Sequence, residues 1–168
     1  RNPRSTVGTI TEIYDFLRLL FARASEAYSH VSGKKMEKFS DQQICDLIHE
    51  KFPNKKLLLL APVVKGRKGH YKELFEKIRK QGFLKVRVDG QISDINYGFK
   101  LDRYKIHDIE IVIDRIVVED NAISHKRVND SIVLAMKHGK GSIMVLEQES
   151  NNIQYFSRAL MDVESGIS

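Results

Sequence analysis

The residues best placed for chemistry lie in one basic stretch, where Gly66-Arg67-Lys68-Gly69 follows an apolar run and precedes an amphipathic segment. Backbone amides at the start of a helix can hold a phosphate group, so this position suits an anion-binding loop. The Walker A motif of nucleotide hydrolases needs four residues between its glycines and then Lys with Ser or Thr. Here two residues intervene and His70 follows. The stretch therefore predicts no nucleotide hydrolysis by this chain.

The same glycine pair supports a second interpretation, in which it clamps a nucleic-acid backbone. A Gly-x-x-Gly loop does this in KH domains, where the loop joins two helices. In this chain the loop joins a predicted strand to a predicted helix, so the context differs and a solvated basic turn is the plainer alternative. A basic nucleic-acid-binding module that uses the Gly66–Gly69 turn stays open as a function. Its candidate DNA or anion contacts are Lys65, Arg67, Lys68 and Lys72.

Hydrolytic, redox and metal chemistry find little support in the sequence. The six histidines are scattered. His107 beside Asp108 at a strand start could be an oriented base, but such a pair is more typical of surface polarity at a strand end. Cys45 is the single cysteine, which excludes an internal disulfide and a multi-cysteine zinc site within one chain. It lies beside an apolar helical stripe and is interpreted as an ordinary cysteine. We expect neither a catalytic residue nor a metal ligand.

Composition sets the limits within which these residues act. The chain has 168 residues, 42% of them hydrophobic, and a formal net charge of +6. One domain, or one domain with an appendage, is expected at this length, and a basic balance favours polyanions or acidic protein surfaces as partners. The sequence shows no signal peptide and no apolar run that could span a bilayer, which favours a soluble, cytoplasmic protein without membrane contact. Because the chain starts at Arg1, we expect a piece of a longer protein.

The elements around the basic stretch follow from hydrophobic periodicity. Leu57 to Ala61 is an apolar run closed by Pro62, which predicts a buried strand. A helix follows, because four apolar residues fall at i, i+3, i+4 and i+7. These residues are Tyr71, Leu74, Phe75 and Ile78. The next strand alternates, so that Lys85 and Arg87 protrude from the charged face.

Further along, the apolar parity of a predicted strand changes at Asp114-Arg115, between Ile113 and Ile116. Either a bulge lies there, which would turn Arg115 outward, or the strand is buried on both sides. A helix capped by Ser124 should extend to about residue 137, before a final hairpin formed by residues 142–147 and 153–156. The fold class is α+β: a mixed, mostly antiparallel sheet with one βαβ crossover and helices packed on it. A long helix at about 10–27 and a second at about 41–51 should precede the sheet.

Two long segments closely resemble the UvrA family, the damage-recognition ATPases of the bacterial excinuclease ABC. One runs from APVVKGRKGHYKELFEKIRKQGFLKVRVDG, which begins at Ala61, to HDIEIVIDR, which begins at His107. The other is the opening NPRSTVGT with EIYD and LRLL, which begin at Asn2, Glu12 and Leu17. The matches are ungapped and in the right order.

This resemblance implies a division of the chain. Residues 1–54 would be the edge of the first ATPase domain and a linker, 55–158 the UvrB-binding domain, and 159–168 a return segment toward the ATPase domain. The fragment itself would be non-catalytic, while the parent would bind ATP and Mg²⁺, contact DNA and form a homodimer. The family's zinc knuckle is expected to be absent, because residues 27–33 lack both thiols and Asp162 stands where relatives carry a cysteine.

The resemblance also implies a binding site for UvrB. The family's interface cations fall at Lys85, where relatives usually have arginine, and at Arg115. Arg87 and Asp114 lie beside them in the sequence, so the predicted partner-binding set is Lys85, Arg87, Asp114 and Arg115. Arginine can bind a carboxylate through two parallel hydrogen bonds and lysine cannot, so Lys85 should contribute less affinity than an arginine would.

Overall fold

The computed structural model describes residues 36–159 and 161–162. The predicted helix at about 10–27, the segment 27–33 and most of the predicted return segment lie outside the described residues. Among the described helices, none is long and apolar enough to cross a membrane.

The described residues form one α+β unit with three helices. The helices are α1 (Asp41–Lys51), α2 (Lys72–Lys80) and α3 (Ala122–His138). The main strands are β2 (Lys56–Lys68), β3 (Lys85–Val88), β4 (Gln91–Asp94), β5 (Ile106–Val117), β6 (Ser142–Glu147) and β7 (Ile153–Ser157). A separate short pair joins β1 (Met36–Glu37) to β8 (Met161–Asp162).

The main sheet has six strands in the order β4-β3-β5-β2-β6-β7, and every hydrogen-bonded pair within it is antiparallel. Strands β2 and β3 both pair antiparallel with β5, so they run parallel to each other with β5 between them. Helix α2 connects these two strands. The predicted α+β class and crossover are therefore confirmed. The two strands that the crossover joins are not neighbours, because β5, which comes later in the sequence, lies between them.

The predicted end of the first strand at Pro62 and the predicted turn at Gly66–Gly69 are wrong, because β2 continues to Lys68. Strand β2 pairs with β6 only as far as Leu60, and beyond that point it pairs with β5 alone. The edge of β2 that faced β6 is therefore free at Pro62, and a proline, which has no N–H, costs no hydrogen bond on that edge. Register shifts follow Pro62 and Val64. Gly66 adopts a φ of 62°, and its N–H donates to the Asp108 carboxylate at 2.7 Å. The chain leaves the sheet only after Lys68.

Of the two alternatives for β5, a bulge and burial on both sides, the structure has the bulge, at Ile113 and not at Asp114-Arg115. Leu59 pairs with Asp114 and Leu60 pairs with Val112, which leaves Ile113 as the additional residue. Ile113 and Ile116 both pack into cores on the helix side of the sheet. The bulge therefore explains how apolar residues of opposite parity reach the same face.

All three helices cover one side of the sheet, which we call the helix face. Helices α1 and α3 pack over β2, β5, β6 and β7, and α2 packs over β3 and β5. Ser40 caps α1 through a capping box with Gln43. Asn121, and not the predicted Ser124, caps α3: its side chain accepts from the Ser124 N–H at 2.8 Å.

The other side of the sheet, which we call the distal face, carries a third apolar cluster. Its buried residues are Leu58, Leu60, Met144 and Leu146. Val112, Ile153 and Tyr155 pack against them. Residues that pair directly across neighbouring strands project to the same side of a sheet, so the strand register also shows which charged residues share this face.

Candidate functional site

Three of the four predicted partner-binding residues lie on the distal face. Arg115 pairs with Leu58 of the distal apolar cluster. Arg87 pairs with Glu110, which in turn pairs with Pro62, two residues beyond Leu60 on the same strand. Lys85 is two residues before Arg87 on β3 and therefore projects to the same side. The sheet register thus brings Lys85, Arg87 and Arg115 together.

Arg87 is held within the fold by a buried ion pair. Its Nη1 lies 2.5 Å from Glu110 Oε1, and the two side chains are 13% and 4% exposed. Burial raises the pKa of Glu110, and the hydrogen bond from Arg87 acts against this increase. A partner would therefore meet Arg87 as part of a neutralised pair and not as a projecting cation.

Lys85 takes part in a solvent-exposed ion pair. Its Nζ lies 2.6 Å from Oδ1 of Asp94, the residue opposite it on β4. The side chains are 54% and 64% exposed, so solvent and salt screen their attraction. Lys85 can exchange this weak partner for a carboxylate on another protein at little cost.

Arg115 projects into solvent immediately after the bulge. Its Nε donates to Gln148 Oε1 at 3.1 Å, and it forms no ion pair within the part of the chain that the structure describes. A neutral amide competes weakly with a carboxylate for a guanidinium group. Of the predicted cations, Arg115 is thus the best placed to bind an acidic partner residue.

Asp114, the fourth predicted residue, lies on the helix face and not with the cations. Its carboxylate accepts from Arg127 Nη2 at 3.0 Å and from Ser131 Oγ at 2.8 Å, both on α3. Burial acts to raise the pKa of Asp114, but these hydrogen bonds outweigh it and hold the pKa below its ordinary value. Asp114 therefore braces the bulge against α3.

A cavity of about 360 Å³ opens on the distal face beside the buried ion pair. Arg87 and Glu110 line it with Lys65, Asp108 and Tyr155, while the remaining wall is mainly apolar. Burial raises the pKa of the Tyr155 phenol, and the nearby Glu110 adds to this effect. The cavity therefore offers opposite charges next to apolar surface on the same face of the sheet as Lys85 and Arg115.

The candidate DNA contacts lie at the end of β2 and the start of α2, where Arg67, Lys68 and Lys72 are exposed. Lys65 is also exposed but lines the distal cavity. The predicted anion loop is not formed, because the Lys72 N–H donates to His70 Nδ1 at 3.1 Å and Gly66 lies in a strand. A loop beside this strand end adds further exposed side chains. They are Lys100, Arg103, Tyr104 and Lys105.

Two clusters were missed by the sequence reasoning. The interpretation of His107 as surface polarity is wrong: the residue is 5% exposed, and its ring nitrogens lie 2.7 Å from Asp89 Oδ2 and 2.8 Å from the Asp102 carbonyl oxygen. The second cluster contains Cys45 and His125, which are separated by 80 positions in the chain. No periodicity links residues so far apart, so only the tertiary contact of α1 with α3 reveals it.

These features define an α+β domain with a packed helix face and a charged distal face, an arrangement that suits protein recognition. The chain belongs to the UvrA interaction domain family, whose model matches residues 40–149. It is 46% identical over 144 residues to UvrABC system protein A of Methanothermobacter thermautotrophicus, an alignment that covers 86% of this chain. It is 41% identical over 167 residues, or 98% of this chain, to UvrABC system protein A of Thermus thermophilus.

The matched region is a small part of each relative. The alignments cover 15% of the Methanothermobacter protein and 17% of the Thermus protein. UvrABC system protein A of Deinococcus radiodurans is 44% identical over 147 residues, with 86% of this chain and 14% of the relative aligned. This chain therefore spans only 14% to 17% of the length of the UvrABC system protein A relatives that it matches.

Proposed function

We propose that this chain is the UvrB-docking domain of a UvrA-like nucleotide excision repair protein and is itself non-catalytic. The observation that carries the proposal is the common location of Lys85, Arg87 and Arg115 on the distal face. Docking of UvrB there would deliver it to damaged DNA in the cytoplasm. ATP and Mg²⁺ binding, DNA contact and dimer formation would belong to the parent protein.

The charges of the distal face favour an acidic patch on UvrB as the contact. Arg115 is exposed with only an amide partner, and Lys85 has a screened carboxylate partner that it can exchange. The Arg87–Glu110 pair stays within the domain and joins β3, which carries Lys85, to β5, which carries Arg115. Because the contacts are polar, binding should weaken as the salt concentration rises.

Calorimetric titration with the cognate UvrB tests the proposal. Lys85→Glu with Arg115→Glu should weaken binding roughly 100-fold, since each reversal replaces an attraction by a repulsion of about 1.4 kcal/mol or more. Lys126→Glu with Lys137→Glu is the matched control, because both lysines are exposed on α3 and the net charge change is the same. Circular dichroism establishes that both double variants fold.

Two results would contradict the proposal. If both double variants lose affinity equally, binding depends on net charge and not on the distal face. If neither loses affinity, the contact lies elsewhere on the domain. The unaltered chain should bind in either case, so failure of that chain to bind would also count against docking by this region.

A second candidate function is direct DNA binding by the strand end. It is favoured by the exposed Arg67 and Lys68, which lie beside the basic loop at Lys105, and by Tyr104, which is 79% exposed and could stack on a base. Fluorescence anisotropy with duplex DNA at physiological salt should then give submicromolar binding that Arg67→Ala with Lys68→Ala abolishes. Affinity of roughly 1 to 100 micromolar would indicate nonspecific attraction alone.

A further inference from the structure

The contact between α1 and α3 brings together a thiol and two imidazoles. Cys45 and His49 are one helical turn apart on α1, and His125 lies in the first turn of α3. The candidate ligand atoms, one per residue, all lie within 4.8 Å of one another. Cys45 is buried, whereas the two histidines are partly exposed at the rim. An ion could therefore enter from the solvent side and reach the thiol.

The donor set and its spacing are close to those of a tetrahedral zinc site. Zinc binds sulfur at about 2.3 Å and imidazole nitrogen at about 2.0 Å, which places neighbouring ligand atoms roughly 3.3 to 3.6 Å apart. Cys45 Sγ lies 3.8 Å from His49 Nδ1, so the ring must turn for its Nε2 to share an ion with the thiol. The two imidazoles stack with their centroids 3.6 Å apart, so at least one ring must rotate for both to point at one ion.

Polar contacts of the two histidine rings also favour metal ligation, because they can fix the orientation of each ring. His49 Nδ1 lies 2.8 Å from the Cys45 carbonyl oxygen, and its Nε2 lies 3.4 Å from Ser124 Oγ, a long contact that an ion would replace. His125 Nε2 lies 3.6 Å from Asp120 Oδ1, an ion-pair contact too long for a hydrogen bond, and its Nδ1 is the nitrogen left for an ion. Ligating histidines usually donate their second N–H to a carbonyl or carboxylate in this way, because the acceptor fixes the tautomer and the ring orientation.

We propose that Cys45, His49 and His125 form a binding site for one zinc-class divalent ion, with water as the fourth ligand, that joins α1 to α3. A thiolate with two imidazoles selects this class over Mg²⁺ or Ca²⁺, which prefer oxygen ligands. The proposal revises the sequence-based expectation of no metal ligand and is independent of UvrB docking. Because the sulfur ligand is a thiolate, ion binding must release the Cys45 proton and should strengthen as pH rises.

Titration of the chain with Co²⁺ tests this site directly. Cys45 is the only cysteine in the sequence, so a thiolate-to-cobalt charge-transfer band in the near ultraviolet can arise from this residue alone. We expect one Co²⁺ per chain, the visible bands of tetrahedral cobalt, and displacement by Zn²⁺. His125→Gln should weaken binding about tenfold or more, and Cys45→Ser should remove the charge-transfer band. His70→Gln, remote from the cluster, is the matched control and should change nothing.

Several outcomes would overturn the proposal. One is the absence of a charge-transfer band at millimolar Co²⁺ in the folded chain. Another is a band that persists unchanged in the His49→Gln, His125→Gln double variant. A third is half an ion per chain with a dimer in size-exclusion chromatography, which would mean that two chains share the ion. If Cys45→Ser does not fold, His125→Gln still decides the question, because its ring lies at the partly exposed rim.

Discussion

Asp114 and Arg115 are neighbours in the chain but lie on opposite sides of the sheet and differ in their partners. Asp114 is bonded to two side chains of α3 on the helix face. Among the described residues, the Arg115 side chain hydrogen-bonds only to a glutamine amide. Successive residues of a strand alternate between the two sides of the sheet, and the bulge at Ile113 sets which of these two reaches the helix face. Charges on the helix face are therefore expected to stabilise the fold, whereas the exposed cations of the distal face are expected to act in recognition.

The Arg87–Glu110 ion pair lies on the distal face but is buried, so its loss should give the largest effect on stability. Arg87→Leu alone or Glu110→Leu alone should lower the free energy of unfolding by about 3 kcal/mol, because each leaves a buried charge without its partner. The Arg87→Leu, Glu110→Leu double variant should regain most of this loss. Urea denaturation of the four proteins measures the coupling. Additive losses in the double variant would show that the pair is not coupled.

Removal of the Asp114 charge should destabilise the helix face without affecting recognition. Asp114→Asn weakens the hydrogen bonds from Arg127 and Ser131, and we expect a loss of about 2 kcal/mol in the free energy of unfolding. Asp130→Asn, an exposed change on α3, is the control and should cost less than about 0.5 kcal/mol. If Asp114→Asn and Asp130→Asn are equally stable, Asp114 does not brace the bulge. If Asp114→Asn keeps its stability but loses affinity for UvrB, Asp114 lies in the interface.

The His107 cluster should make stability depend on pH. Hydrogen bonding to the Asp89 carboxylate, and then to the Asp102 carbonyl, raises the pKa of His107 above its ordinary value of 6.5. The stabilisation is thus fully present below pH 6.5 and is lost as pH rises through the higher folded-state pKa. Asp89→Asn should lower the melting temperature by about 3 °C at pH 6, and by less at pH 9.

Asp102→Asn is the control for this pH effect. It removes a nearby charge but keeps the backbone carbonyl that accepts from His107. Because the Asp102 charge makes only the smallest contribution to the raised pKa of His107, the melting temperature of Asp102→Asn should fall less at pH 6 than that of Asp89→Asn. An Asp89→Asn deficit that is the same at both pH values would show that the charged histidine does not contribute.

The smallest effect is expected for the exposed ion pair of the distal face. Lys85→Ala should change the free energy of unfolding by less than about 0.5 kcal/mol, since solvent screens its contact with Asp94. Denaturant unfolding checks this. A loss above about 1 kcal/mol would mean that Lys85 supports the fold, and the contrast between the two faces would not hold for this residue.

Periodicity was sufficient to predict most of the elements. Alternation in β3 and the change of parity between Ile113 and Ile116 indicated the sheet and its bulge, because side-chain direction in a strand depends on the sequence within a few residues. The continuation of β2 from Pro62 to Lys68 could not be predicted from periodicity. It depends on which edge of the strand stays unpaired after Leu60, and the partner strands are distant in sequence.

The candidate site was predicted only in part for the same reason. Lys85 and Arg115 were predicted from resemblance, and their common face follows from the register of β3 on β5 and β5 on β2. That Arg87 is bound to Glu110, and that Asp114 faces α3, depend on contacts across the sheet and between layers. Such contacts have no signature in the local sequence.

Isotope-labelled isoleucine methyl groups, observed by NMR during titration with UvrB, test the proposed docking face most directly. Ile92 pairs with Arg87 on the distal face and is 45% exposed, whereas Ile123 is 83% exposed on α3. We predict that the Ile92 signal shifts or broadens as UvrB is added, while the Ile123 signal stays unchanged. Perturbation of Ile123 with an unchanged Ile92 would contradict docking through the distal face.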